Sequence, residues 1–146
     1  MIKIAYIGAG SIQFGPIIVQ DILLSEKLCE KGLEICLMDI ELSHLDHVFK
    51  HAEYVNNTLK RNVKIIKTDN REEAIRNSDF VICALEKDRN IFWSQDFHIP
   101  RKYGFKQVYG ENGGVGSLFH ALRNIKIIVD LAKDMEKLCP KSILLN

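Results

Sequence analysis

Apolar residues follow two rhythms along this chain. Short, nearly continuous apolar runs fall at Ile2–Ile7 and at residues 34–38, 63–67, 80–85 and 142–146. Between them lie longer stretches whose apolar positions recur every three or four residues, over 14–28, 43–59, 71–76, 88–103 and 118–138. The first rhythm predicts buried strands and the second predicts helices with one apolar side. In the first helix the predicted inner side is Ile17, Ile18, Ile22 and Leu23. In the second it is Leu45, Val48, Phe49, Ala52, Val55 and Leu59, and in the last Leu122, Ile125, Ile128, Val129, Ala132 and Met135. Punctuation agrees with these limits. Pro16 stands in a first helical turn, where its missing amide costs little, and Gly32 breaks the chain before the second strand. Asp69 or Asn70 is placed to cap the helix that follows. Pro100 makes the end of the 88–103 helix irregular, and residues 110–117 read as a glycine-rich loop.

Strands that are apolar on both faces and alternate with helices imply a parallel sheet covered on both sides. The expected fold class is therefore α/β, a Rossmann-like doubly wound sheet with about five strands in the order 3-2-1-4-5. A sixth strand is either missing or supplied by residues beyond Asn146. The open edge this leaves is a liability in solution, and a homo-oligomer is expected. Residues 1–146 form one expected domain.

Composition narrows the function by exclusion. Lysine and arginine number 20 against 19 acids, a formal charge of +1. That balance gives no drive toward nucleic acid or a membrane surface. No stretch is long enough to span a bilayer, and nothing reads as a cleavable leader. Cys29, Cys36, Cys83 and Cys139 lack metal-pair spacing, and a reducing, cytoplasmic setting is expected.

The candidate chemistry begins where the first strand ends. Gly8-Ala9-Gly10-Ser11 joins strand to helix. Gly8 permits a tight turn, Gly10 lets the backbone approach a pyrophosphate, and the helix N-terminus offers unpaired amides to negative charge. Ser11 adds a hydroxyl, and Ile12, Gln13 and Phe14 complete the expected cofactor-binding stretch. Gln13 stands where a third glycine is usual, and Gly15, two residues on, is the candidate for close helix packing. Asp39 closes the second strand, where a carboxylate accepts both hydroxyls of an adenosine ribose and repels a 2'-phosphate, which favours NAD over NADP. After the fourth strand, Leu85, Glu86 and Arg89 lie by topology on the nicotinamide side of the crevice. His44, His47 and His51 share a helix face and read as a solvated stripe.

A second set of motifs is more distinctive: residues 99–104, Gly110-Glu-Asn-Gly-Gly-Val-Gly116 and Phe119-His-Ala-Leu-Arg-Asn124. With the glycine turn, Asp39-Ile40, residues 79–82 and Leu138-Cys-Pro140, the whole chain resembles glycoside hydrolase family 4, the NAD- and divalent-metal-dependent glycosidases. The resemblance implies transient oxidation at sugar C3, deprotonation at C2, elimination of the glycosidic oxygen and addition of water, using NAD and manganese or another divalent metal on a small-molecule glycoside. It implies that Asn112 contacts the cofactor and that Glu111 and Asn146 contact substrate, alongside Arg89. Trp93 stands where many members carry an arginine, so sugar-phosphate recognition is not implied. The family's catalytic groups and metal ligands lie beyond the position of Asn146, so no catalytic or metal residue is expected in this chain. Two alternatives remain open: the cofactor domain of a 2-hydroxy acid dehydrogenase, and a stand-alone NAD-binding or oligomerising domain without catalysis.

Overall fold

The structure is a computed structural model that describes residues 1–106, 108 and 113–146. Its strands are the apolar runs. β1 (Ile2–Ile7), β2 (Leu33–Met38), β3 (Lys64–Thr68), β4 (Phe80–Cys83) and β5 (Ile143–Leu145) form a parallel sheet in the order β3-β2-β1-β4-β5, as expected. Every residue of β2 is buried, which is what coverage on both faces requires. Tyr6 lies opposite Leu37 and Ile7 opposite Met38, so β1 and β2 finish side by side. The chain runs outward from β1 to β3 and then returns to β4 on the other side of β1. That reversal places a topological switch point at the C-terminal ends of β1 and β4.

The helices are α1 (Gly15–Leu24), α2 (Glu26–Glu30), α3 (Leu42–Leu59), α4 (Arg71–Ile75), α5 (Arg89–Lys102) and α6 (Gly114–Leu138). The chain forms two units, Met1–Ala84 with Asp134–Asn146, and Leu85–Lys133. The core of the first unit gathers Ile4, Tyr6, Val19, Leu23, Ile35, Leu37, Leu45, Val48 and Ala52. Each large aliphatic side chain fully buried there contributes roughly 1.5–3 kcal/mol. The buried acid of the sheet, Glu34, is paired with Lys64 at 2.8 Å. The N-terminal edge of the sheet is tied by Asp79, whose Oδ2 accepts the Lys3 amide at 2.8 Å. Asn70 caps α4 by accepting the Glu73 amide.

Three helical expectations need correction. The expected helix over 14–28 is two helices, because Ser25 takes an extended conformation (φ −75°, ψ 95°) and α2 restarts beyond it. Ile17 is exposed, and the inner side of α1 is Gly15, Val19, Ile22 and Leu23. Gly15 is held inward, and a residue two further on lies roughly 200° around the helix. On α6 the predicted inner residue Met135 is buried and Ile128 and Ala132 are half-buried, but Leu122, Ile125 and Val129 are exposed, and Asn124 and Leu131 are buried instead. α6 also begins at Gly114, so part of the expected glycine loop is helical.

Candidate functional site

The site is built from the loop that leaves β1. The amides of Gly8 and Ala9 both donate to the Met38 carbonyl, at 2.9 and 3.0 Å, which fixes the turn to the end of β2. Gly8 has φ +83°, a conformation glycine adopts without steric cost. The Ser11 amide then closes onto the Gly8 carbonyl at 3.2 Å. Asp39 reaches back over this turn. Its Oδ2 accepts the Gly10 amide at 2.8 Å and its Oδ1 accepts the Glu41 amide at 3.0 Å. A Cβ at position 10 would sit 2.8 Å from the Asp39 carboxyl carbon, so Gly10 is what allows this approach.

Gly15 takes the packing role that position 13 does not. A Cβ there would lie 2.3 Å from the Ala9 carbonyl oxygen and 2.8 Å from a Val48 methyl. The glycine therefore seats the first turn of α1 directly on the loop after β1 and on α3. Phe14 precedes the helix without a side-chain cap. The Ser11 hydroxyl accepts the Phe14 amide at 3.2 Å, and the Ser11 carbonyl accepts the Gly15 amide at 2.7 Å. The amides of Ile12 and Gln13 meet no acceptor among the described residues, and both side chains are exposed. Unpaired amides at the mouth of a helix, over a glycine turn, form a cradle suited to a phosphate or diphosphate.

Tyr6 lies beneath this cradle, and the sequence reading overlooked it. Its ring belongs to the core with Leu37, Leu45 and Val48, it has no exposed surface, and its hydroxyl makes no hydrogen bond among the described residues. Leaving such a group unpaired costs about 1–3 kcal/mol. Burial, and then the charge of Asp39, push the phenol up to about 12. The signal available in the sequence was a tyrosine inside an aliphatic strand, since a buried tyrosine hydroxyl usually has a partner. The Cys36 thiol is pushed up to about 11, chiefly by burial, in keeping with its reading as a small core residue.

The remaining predicted residues fall in several places. Leu85, Glu86 and Arg89 belong to the second unit. There Glu86 is ion-paired with Arg89 and stands 3.6 Å from His120 Nδ1. Asn124 joins the same cluster, accepting the Lys87 amide at 3.0 Å and donating to the His120 carbonyl at 2.9 Å. Glu111 and Asn112 lie outside the described residues. Asn146 is exposed at the C-terminal end of β5. Thus Gly8, Gly10, Ser11, Ile12, Gln13, Phe14 and Asp39 are brought together at one loop, while Asn146 sits at the sheet's outer strand. The second unit also has a cavity of about 600 Å³ between α5 and the start of α6. It is walled by Phe92, Ile99, Phe119 and Leu122 above the Asp96–Arg123 ion pair, and includes no residue assigned to cofactor or sugar. Among the described residues no three His, Cys, Asp or Glu side chains are grouped to hold a metal, the α3 histidines included. Among the described residues no helix is long and apolar enough to cross a membrane.

The sequence pattern of the Family 4 glycosyl hydrolases matches residues 3–146. The chain is 42% identical to an alpha-glucosidase of Erwinia rhapontici, over 99% of its own length and 32% of that protein. It is 36% identical to an alpha-galactosidase of Bacillus subtilis, over 100% of its length and 34% of the relative. It thus spans about a third of the curated relatives it matches. Among solved structures, it resembles the 6-phospho-beta glucosidase of Thermotoga maritima with manganese, NAD+ and glucose-6-phosphate. The TM-score is 0.83 and the identity 25%, over 99% of this chain and 33% of that one.

Proposed function

This chain belongs to the family 4 glycosyl hydrolases, and from that membership we propose that it is the NAD-binding part of a glycosidase. The observation that carries the reading is the loop after β1. Two unpaired amides, a glycine at positive φ and a carboxylate at the end of β2 stand where a dinucleotide needs a diphosphate cradle and a ribose acceptor. The alternative of a 2-hydroxy acid dehydrogenase shares the cradle but not the family match.

NAD bound there supplies a hydride acceptor for transient oxidation at sugar C3, the step that acidifies the neighbouring C2 proton and lets the glycosidic bond break by elimination. The residues of this chain bind and orient. The Ile12 and Gln13 amides hold negative oxygens, Gly10 keeps the approach open, and Asp39 accepts the ribose hydroxyls. Asp39 stays in place by accepting the Gly10 and Glu41 amides, and an anion fixed there disfavours a 2'-phosphate. Manganese is bound in the Thermotoga enzyme, and the described residues of this chain provide no ligand set for a metal. Substrate contacts by Arg89, Glu111 and Asn146 and a cofactor contact by Asn112 belong to the same proposal, as does a small-molecule glycoside as substrate.

Calorimetric titration of the 146-residue chain tests it. Saturable binding of NAD, with NADP at least tenfold weaker, is expected, together with no turnover of chromogenic glycosides in the presence of manganese. Absence of NAD binding at millimolar concentration overturns the reading of the turn, and turnover by this chain overturns its assignment as a binding part alone.

A further inference from the structure

Tyr6 is a core side chain on the strand that leads into the cofactor turn, and the proposed function leaves its hydroxyl unused. Residues that pair across parallel strands point to the same face, and side chains on a strand return to that face every second residue. Tyr6 pairs with Leu37, and Asp39 stands two residues beyond Leu37. Both side chains therefore rise on the side of the sheet that α1 and α3 cover, where Tyr6 shares its cluster with Leu45 and Val48 of α3. The tyrosine has no exposed surface and its hydroxyl has no partner among the described residues. Asp39 is the charge that acts on that hydroxyl. The carboxylate accepts two amides in this structure, and its oxygens retain capacity for further donors. The buried hydroxyl lacks an acceptor among the described residues, and the carboxylate two residues past its strand partner has spare lone pairs.

We propose that Tyr6 is a positioning residue for the adenosine ribose site, its hydroxyl donating to the Asp39 carboxylate when the ribose is seated. The inference rests on the reading of the turn as an NAD site and assigns a residue that acts through Asp39. The phenol keeps its proton throughout, so the carboxylate gains a donor without gaining a charge. Held from below by Tyr6 and from the sides by the Gly10 and Glu41 amides, Asp39 presents its remaining lone pairs to the ribose hydroxyls in one orientation.

The test compares the full chain with its Tyr6→Phe variant, titrated with NAD and with inorganic pyrophosphate. A hydrogen bond to a charged acceptor is worth about a factor of ten or more. The expected result is about tenfold weaker NAD binding by the variant, with pyrophosphate affinity unchanged, because pyrophosphate has no ribose. Unchanged NAD affinity overturns the proposal. So does an equal loss for NAD and pyrophosphate, which would mean that the substitution disturbs the turn itself. If the unaltered chain fails to bind NAD, the reading of the turn falls, and the role of Tyr6 with it. A second measurement needs no variant to fold. With tyrosine labelled at Cζ, NAD but not pyrophosphate shifts the resonance of the tyrosine ring that a soluble paramagnetic agent fails to reach, and a silent resonance overturns the proposal.

Discussion

Helices α3 and α6 carry similar apolar spacing and have opposite fates. On α3, Leu45, Val48 and Ala52 lie at three- and four-residue intervals, and all are buried against the sheet. On α6, Leu118, Leu122, Ile125 and Val129 follow the same spacing and are 57%, 60%, 56% and 43% exposed. A second stripe on α6, Asn124, Leu131 and Met135 with half-buried Ile128, is the covered one. The two stripes lie roughly 120° apart around the helix. Periodicity states which residues share a face. It does not state whether anything covers that face, and when a helix has two apolar stripes it does not choose between them. On α3 the choice was made elsewhere in the sequence, by the strands on either side of it and by the glycine at position 15 that packs against Val48.

The largest expected effect is a direct contrast between the helices. Leu45→Ala should destabilise the chain by about 3 kcal/mol, as for a fully buried leucine. Leu122→Ala should change stability by no more than about 0.5 kcal/mol. Urea unfolding followed by circular dichroism measures both, and equal losses would break the comparison. Next comes Gly15→Ala. The added methyl meets the Ala9 carbonyl oxygen at 2.3 Å, which a side chain's movement cannot relieve, and a loss of about 2 kcal/mol is expected. The same melting experiment on Ile17→Ala, on the exposed side of the same helix, should show almost none. A comparable loss at both positions would mean that the rotation of α1 is misassigned.

The strand order, the glycine turn and Asp39 were legible in the sequence, because each depends on constraints local to a few residues. Apolar runs of strand length, a positive-φ glycine and an acid at a strand end need no knowledge of the rest of the fold. Gly15 was legible as a candidate, and the contacts with Ala9 and Val48 explain why a glycine two residues late still serves. The break at Ser25 was not legible, since neither proline nor glycine marks it. Serine competes for backbone hydrogen bonds only weakly, and the bend depends on what the two short helices pack against. Tyr6 was absorbed into an aliphatic strand because the pattern counts its ring and not its hydroxyl. On α6, Met135 was legible, while Leu122, Ile125 and Val129 were misplaced for the reason given above. Leu131 and Leu122 are the same residue type on the same helix, and only the completed fold separates them.

A charge placed on the exposed stripe sharpens the contrast at smaller amplitude. Ile125→Lys should alter stability by less than about 0.5 kcal/mol. If copies of the chain associate through this stripe, the substitution should also lower the apparent mass in sedimentation at high concentration. A large loss of stability from Ile125→Lys would mean that the stripe is covered after all, and would bring α6 into line with α3.

The smallest effect near neutral pH lies on the alkaline limb. Burial raises the Cys36 thiol from 9.0 to about 11, and burial with the charge of Asp39 raises the Tyr6 phenol from 10.0 to about 12. Both groups sit on β strands of the covered sheet. In each case the unfolded chain releases its proton first, so the folded state binds more protons between the two values. Stability is then fully present below about pH 9 and declines as the pH rises toward 12. The melting temperature should be flat from pH 7 to 8.5 and fall beyond it. Cys36→Ala should flatten the first part of the fall and Tyr6→Phe the later part, each relative to its own value at pH 7. An alkaline limb indifferent to both substitutions would show that water reaches these side chains, and the contrast between a sealed sheet face and an open helix stripe would lose its sealed member.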